Sequence, residues 1–120
     1  SVEPLQKALK HKDPKTQFLA AEGLALAKRP EGLSILQSAI EYLEDYYLRC
    51  RAVLALGVLA DKRSLDLLLK LANESGHALQ ESAAEAIGRL SQSEKADEVF
   101  RILARYAKRR DNIAKAALKG

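Results

Sequence analysis

The sequence has no methionine and no tryptophan, and aromatic residues make up only 5% of its 120 residues. Any core must therefore consist mainly of Leu, Ala, Ile and Val. Because the chain lacks an initiator Met, we expect a processed chain or a piece of a longer one. No secretory signal is visible. The longest apolar run, residues 52–60, is far too short to span a bilayer, so we expect no membrane segment.

Cysteine is also scarce, since Cys50 is the only one in the sequence. A single cysteine excludes an internal disulfide and is compatible with a reducing compartment, so we predict a cytoplasmic location. Cys50 lies between Arg49 and Arg51. We expect it to pack against a neighbouring part of the chain rather than to act as a nucleophile.

What the chain does contain is a repeat of about 31 residues. One series of alanines is spaced by 32, 31 and 31 residues: Ala20, Ala52, Ala83 and Ala114. A second series keeps spacings of 31, 32 and 31 residues: Val2, Leu33, Leu65 and Ala96. Such a period is typical of a solenoid, in which each unit buries its apolar face only by stacking on its neighbours.

The apolar spacing within each unit predicts two helices, A and B, and no strand. The predicted fold is all-α, an α-α superhelix of about 3.5 two-helix repeats of 31–32 residues in a single domain. The predicted units span about residues 1–31, 32–62, 63–94 and 95–120. The predicted helices A span 2–11, 33–42, 65–73 and 95–110. The predicted helices B span 15–28, 46–60 and 77–90, and a fourth begins at residue 112.

Turn residues mark several of these boundaries. Asp13 and Pro14 separate the first two helices, because the residue before a proline avoids the α region and proline suits a first helical turn. Ser64 is the predicted N-cap of the third helix A. Residues 73–76, Asn-Glu-Ser-Gly, predict a helix end.

Two glycines fall at equivalent points inside helices B. Gly57 and Gly88 are 31 residues apart, and glycine inside a helix costs about 1 kcal/mol relative to alanine. Because this cost recurs at one position of the repeat, we expect both glycines to mark close helix crossings.

Several phrases of the sequence carry a resemblance to a known family. They are residues 2–10, the turn residues Asp13 and Asp45, the step Leu48-Arg49, and residues 55–61. Together they resemble the short HEAT-like repeat of phycobilisome lyases and many bacterial proteins, over the whole chain. The resemblance implies an α-solenoid that mostly serves as a scaffold for binding proteins, while some members act on pigments or bind DNA.

One position of the chain departs from that family. The family has a frequent arginine early in helix B. It is present here as Arg49, whereas the equivalent residues are Gln17, Gln80 and Asp111. A ladder of ligand-binding arginines is therefore not expected.

Charge is concentrated at the C-terminal end. Residues 1–94 hold 12 basic and 13 acidic side chains, whereas residues 95–120 hold 8 basic and 3 acidic side chains. Helical spacing places four basic residues on one face: Arg101, Arg105, Lys108 and Arg109. An apolar stripe is predicted opposite: Ala96, Val99, Phe100 and Leu103. The basic face is either a solvated surface that also interacts well with the helix dipole, or a site for a polyanion or an acidic protein.

No catalytic or metal-binding pattern is present in the sequence. His11 and His77 lie far apart in the repeat, and neither has a spaced Cys or His that would complete a metal site. Glu81 and Glu85 share a helix face, which is ordinary for a charged helix surface. We therefore predict no enzyme activity and no cofactor.

These observations leave three functional hypotheses. The first is a protein-interaction scaffold whose plausible contacts lie on helices B: Gln17, Arg49, Arg51, Gln80 and Lys115. The second is binding of nucleic acid or another polyanion by the basic C-terminal helix. The third is a role as a lyase-type accessory, which follows from the family resemblance alone.

Overall fold

In a computed structural model, which describes residues 2–74 and 76–119, the chain forms seven α-helices and no strand. The helices are α1 (Glu3–Ala8), α2 (Pro14–Leu26), α3 (Leu33–Tyr42), α4 (Tyr46–Leu59), α5 (Lys62–Asn73), α6 (Gln80–Leu90) and α7 (Ala96–Lys119). The described part measures 51 × 32 × 21 Å along its principal axes. The predicted all-α fold of stacked helix pairs is confirmed.

The helices form two layers. Helices α2, α4 and α6 pack side by side, and we call this row the B layer. Helices α1, α3 and α5 each pack against the B helix of their own unit, and α7 packs on α5 and α6. We call α1, α3, α5 and α7 the A layer. Because α4 contacts both α2 and α6, the middle unit is covered on both sides.

The buried core follows the repeat. Ala20, Ala52 and Ala83 are 2%, 0% and 0% exposed, so the three alanines occupy equivalent buried positions as predicted. Leu56 of α4 and Leu68 of α5 are fully buried between the layers. These side chains bring neighbouring helices into contact and remove apolar surface from water.

Aspartates begin three of the helices. Asp13, Asp45 and Asp61 each accept hydrogen bonds from backbone N–H groups of the following turn, which satisfies donors that have no partner inside the helix. The prediction that Ser64 is an N-cap is wrong. Asp61 accepts from the Ser64 N–H at 2.9 Å, so α5 begins one turn earlier, at Lys62.

The segment between α5 and α6 is longer than predicted. The helix end expected at residues 73–76 is confirmed at Asn73, while Ser75 lies outside the described residues. Helix α6 begins at Gln80 rather than at His77. His77 lies in a turn in which its Nδ1 accepts from the Leu79 N–H at 3.0 Å. This hydrogen bond and the backbone bond from Gln80 N to His77 O hold the turn ahead of the helix.

The C-terminal region differs most from the prediction. A helix A ending at 110 and a new helix B from 112 were expected, but α7 runs without a break from Ala96 to Lys119. Ala107 and Lys108 occupy the repeat positions of Asp13 and Pro14, and both favour a helix. Nothing in this stretch ends the helix. Ala114 is consequently exposed, unlike the three alanines of its series.

The buried side of α7 also differs. Val99 and Ile102 are 2% and 3% exposed, with Leu103 and Tyr106 packed partly against the core. The prediction that Phe100 belongs to the buried stripe is wrong, since it is 55% exposed. The buried positions follow i, i+3, i+4 and i+7 from Val99, which is the side of the helix that meets α5 and α6.

The equivalent glycines have different surroundings. A Cβ atom on Gly57 would lie 3.4 Å from the Cβ of Ala86, so α4 and α6 approach closely there, as expected. A Cβ on Gly88 would meet nothing within 4 Å, and the crossing predicted there is wrong. The reason is that, among the described residues, no fourth helix B packs on that side of α6. A third glycine, Gly32, is more closely packed than either, because a Cβ built on it would lie 2.6 Å from the Cα of Ala21.

Candidate functional site

Three of the predicted contact residues form hydrogen bonds within their own repeats. Gln17 donates to the His11 carbonyl at 2.6 Å, and the Arg49 Nε–H donates to the Ile40 carbonyl at 2.8 Å. In the third repeat Gln80 donates to Ala72 O at 3.1 Å. These carbonyls lie at or just after the ends of helices A, where intrahelical partners are missing. The shared position in helix B therefore joins the two helices of each repeat.

Arg51 joins two neighbouring repeats. Its Nε lies 2.8 Å from Oε2 of Glu22, and its Nη2 binds Oε1 of the same carboxylate, which is a bidentate pair between α4 and α2. The guanidinium carbon also lies 5.8 Å from the ring centroids of both Phe18 and Tyr47. The hydrogen bonds that Arg51 donates to Glu22 raise the pKa of Arg51 above its ordinary value. Arg51 is thus held in place on the surface of the B layer.

Around this pair the B layer exposes apolar side chains. We define the B face as the following residues, which are between 36% and 68% exposed: Leu19, Leu26, Tyr47, Leu54 and Val58. Leu19 and Leu26 share one side of α2, and the other three share one side of α4, by spacings of four and seven residues. The equivalents of Leu54 and Val58 in α6 are Glu85 and Arg89, so the B face becomes charged at its α6 end.

A groove of about 540 Å³ lies at the C-terminal ends of the B helices. Its apolar lining is Leu26, Leu54, Gly57, Val58, Ala60, Ala86 and Leu90, and its charged lining is Lys28, Arg89, Glu94 and Lys95. We call this feature the B groove. Lys28 has a left-handed backbone with φ of 65°, and its Nζ donates to the Val58 carbonyl. The groove therefore combines an apolar floor with a mostly basic rim.

The groove was not predicted from the sequence. Its signal was available, because Leu26 and Val58 are 32 residues apart and so occupy one repeat position on adjacent helices. Two exposed apolar residues in register on neighbouring helices indicate a shared patch, whereas a single exposed leucine indicates nothing.

The predicted basic face of α7 lies on the A layer. Arg101, Arg105, Lys108 and Arg109 are all exposed, and none of them forms an ion pair with another residue in the described part of the chain. Arg109 also lines a groove between α3, α5 and α7, beside Lys70. The structure thus brings the four basic residues onto one surface, which is separate from the B face.

Lys115 is not part of the surface that contains the other predicted contacts. Gln17, Arg49, Arg51 and Gln80 lie on helices of the B layer, whereas Lys115 is exposed on the far part of α7. The prediction placed Lys115 on a fourth helix B. Because that helix is not formed separately, Lys115 lies outside the B layer.

The histidines and the cysteine have local contacts. His11 Nδ1 accepts from the Asp13 N–H at 3.1 Å, beside the start of α2. The half-buried Cys50 has its Sγ 3.6 Å from the Ser82 hydroxyl of the next repeat. Across residues 2–74 and 76–119, no cluster of three or more His, Cys, Asp or Glu side chains is arranged to hold a metal ion. None of the described helices is long and apolar enough to cross a membrane.

Comparison with known families agrees with this architecture. Residues 36–119 match the family model for HEAT repeats. The chain belongs to the HEAT-repeat family. HEAT repeats generally serve as protein-interaction scaffolds and are typically non-catalytic. No curated protein and no solved structure matches the chain.

Proposed function

We propose that this protein is a non-catalytic scaffold that binds another protein through the B face and the B groove. The observation that carries the proposal is the row of exposed apolar side chains on α2 and α4, continuous with the apolar floor of the groove. Protein interfaces commonly have an apolar centre and a polar rim. Exposed apolar residues that cluster in this way favour an interaction surface over an ordinary solvated one.

The charges around the groove favour a partner of complementary charge. Lys28, Arg89 and Lys95 line the rim, with Glu94 as the acidic residue among the lining side chains. Arg89 also pairs with Glu85 at 2.8 Å, and Lys95 pairs with Glu98 at 3.5 Å. A partner segment that places apolar side chains on Leu26, Leu54 and Val58 would complement this rim with acidic residues of its own. We infer that the partner presents an amphipathic helix whose apolar stripe is flanked by Asp or Glu.

The hydrogen bonds described above give this surface its rigidity. The Glu22–Arg51 pair fixes α2 relative to α4, and the bonds of Gln17, Arg49 and Gln80 fix each B helix relative to its A helix. A preformed surface loses little conformational entropy when a partner binds. In this proposal these residues position the binding surface, and the exposed apolar side chains contact the partner.

The test is a selection of random peptides displayed on phage, with this protein as the bait. We expect enriched peptides to combine an apolar helical stripe with acidic residues. Leu54→Asp should weaken the binding of an enriched peptide by about tenfold or more, because it places a charge in the apolar contact. Phe100→Asp is the matched control, since Phe100 is also exposed but lies on the A layer. Failure to enrich any peptide, or equal loss in both variants, would reject the proposal.

A second candidate function is binding of a polyanion, such as nucleic acid, by the basic face of α7. It is favoured by four exposed cations without ion-pair partners among the described residues. Each phosphate contact should contribute about 0.9 to the log–log salt slope for duplex DNA, so Arg105→Gln combined with Arg109→Gln should flatten it by about two. We expect little preference for single strands, because the chain has few aromatic residues for base stacking. Absence of binding at about 50 mM salt would remove this candidate.

Three further proposals rest on the sequence. Residues 1–120 form a single domain, in keeping with the repeat that runs through them. The location is cytoplasmic, in keeping with the single cysteine. An accessory role beside a lyase-type enzyme is supported only by the resemblance to the repeats of phycobilisome lyases.

A further inference from the structure

The B layer has an open end at α6. Helix α4 contacts α2 on one side and α6 on the other, whereas no helix packs beyond α6 in the described structure. Gly57 of α4 faces Ala86, at 3.4 Å from a Cβ built on the glycine, but the equivalent Gly88 of α6 faces nothing within 4 Å. The surface of α6 that would receive a fourth B helix is therefore uncovered.

The far part of α7 carries the side chains that this surface lacks. We call residues 112–119 the tail. By the repeat register, Ala114, Ala117 and Leu118 correspond to Ala83, Ala86 and Ile87, which face α4 or the core from α6. In the tail they are uncovered, with Leu118 88% exposed and the neighbouring Ile113 63% exposed. The register therefore pairs Ala117 with Gly88.

The charges of the two surfaces are complementary. Helix α6 exposes Glu81 and Glu85, and Glu81 has no ion-pair partner among the described residues. The tail carries Lys115, and Lys108 lies just before it. Arg110 in the same stretch donates to Asn73 of α5 at 3.1 Å, and Asp111 is the acidic residue there. Attraction between these groups would orient the tail on α6 and would weaken as the salt concentration rises.

The tail does not reach its own α6 in this structure. Helix α7 is continuous, and Val99 and Ile102 bury its first half against the body of the molecule. To fold back, the chain would have to open about one turn near Ala107 and Lys108, where no residue favours a break. A tail from another molecule can dock while α7 stays straight.

We propose that a second copy of this chain places its tail on α6 and thereby completes the B layer, with the two copies exchanging tails. In this arrangement Ala117 of one copy contacts Gly88 of the other, as Ala86 contacts Gly57 within one chain. The exchange removes Ile113 and Leu118 from water. It does not depend on the proposed function, because the B face and the tail are different surfaces.

The first test is the molar mass of the protein by light scattering over a dilution series. We expect a dimer that dissociates on dilution. Leu118→Asp should raise the dimer Kd by about tenfold or more, because it buries a charge against α6. Asn112→Asp is the matched control, because it makes the same charge change about 120° around the helix from Leu118, at the repeat position of the exposed Glu81. This variant should remain dimeric. Both residues are exposed, so neither variant should lower the melting temperature of the dilute monomer.

The second test is a disulfide in a Cys50→Ser background. Gly88→Cys with Ala117→Cys should form a disulfide between two chains, seen as a dimer on a non-reducing gel. Gly57→Cys with Ala86→Cys is the positive control and should close within one chain, since 3.4 Å is near the Cβ separation of about 3.5–4.5 Å that a disulfide requires. A monomer at every concentration, a dimer that Leu118→Asp leaves unchanged, or an 88–117 disulfide within one chain would overturn the proposal.

Discussion

The first two helix pairs and α7 share one repeat register but differ in what stands between helix A and helix B. In the first pair Asp13 precedes Pro14, and in the second Asp45 accepts from the Tyr47 N–H at 2.9 Å. The equivalent residues in α7, Ala107 and Lys108, neither cap nor break a helix. The apolar period is present in all of these regions, yet only the first two pairs turn. Turn residues, rather than the period, decide where these helices end.

The largest expected effect on stability comes from comparing a buried residue of α4 with an exposed residue of the tail. Leu56→Ala should lower the free energy of unfolding by about 2 to 5 kcal/mol, because Leu56 is fully buried and its loss leaves a cavity between the layers. Leu118→Ala is the same substitution at a residue that is 88% exposed, and should change stability by about 0.5 kcal/mol or less. Denaturant unfolding of the dilute variants measures both. Similar losses in the two variants would contradict the assignment of body and tail.

The second prediction tests the role of the turn residues by introducing the first turn sequence into α7. Ala107→Asp combined with Lys108→Pro places the sequence of the first turn at the same position of α7. A proline inside a helix costs about 3 kcal/mol, and the aspartate caps a new helix start, so α7 should divide there. Backbone chemical shifts of residues 104–110 measure the break. The tail should then fold onto its own α6, and the variant should be a monomer by light scattering.

Ala107→Ser combined with Lys108→Ala is the control for the turn transfer, because it changes the same two residues without a proline. We expect it to keep a continuous helix. If the Asp-Pro variant also keeps helical shifts from 104 to 110, local turn chemistry does not explain the difference between α7 and the other pairs.

A smaller effect is expected for glycines with unequal surroundings. A Cβ at Gly32 would lie 2.6 Å from the Cα of Ala21, so Gly32→Ala should lower stability by about 1 to 3 kcal/mol through overpacking. Gly88→Ala enters open space inside a helix and should raise stability by up to about 1 kcal/mol. Opposite signs in thermal unfolding are the expected result. A gain at Gly32 would contradict the packing of the α2–α3 loop.

The smallest predicted effect concerns the pH dependence of the first helix cap. The hydrogen bond from the Thr16 hydroxyl, followed by that from the Lys15 N–H, lowers the pKa of Asp13 below its ordinary value of 3.8. The carboxylate therefore stabilises the fold fully above pH 3.8, and this contribution is lost as the pH falls through the lower, folded value. Asp13→Asn should lose less stability than the wild type between pH 5 and pH 2. A steeper loss of stability in Asp13→Asn than in the wild type would contradict the lowered pKa of Asp13.

The period and the turn residues predicted much of the fold. The three buried alanines and helix α3 were located correctly, because each lies in a unit with a repeated apolar pattern. The exposure of Phe100 could not be predicted, because the side of α7 that is buried depends on where α5 lies. The close packing of Gly32 against Ala21 also could not be predicted, because a glycine in a turn can be present for several different reasons.

The candidate site was predicted less well, for a physical reason. Gln17, Arg49 and Gln80 were correctly placed near the starts of helices B, but a polar side chain there can face a partner or a nearby carbonyl. All three donate to carbonyls at the helix A side of the repeat, because the fold brings those carbonyls close to them. The Glu22–Arg51 pair joins residues 29 positions apart in different repeats, so it follows from stacking and not from local sequence.

The most direct test of the B face as the interaction surface is methyl NMR of leucine and valine during titration with an enriched peptide. We expect the largest shift changes at Leu26, Leu54 and Val58, and no change at Leu118. Shift changes confined to α7, or none on the B layer while the peptide binds, would contradict the account.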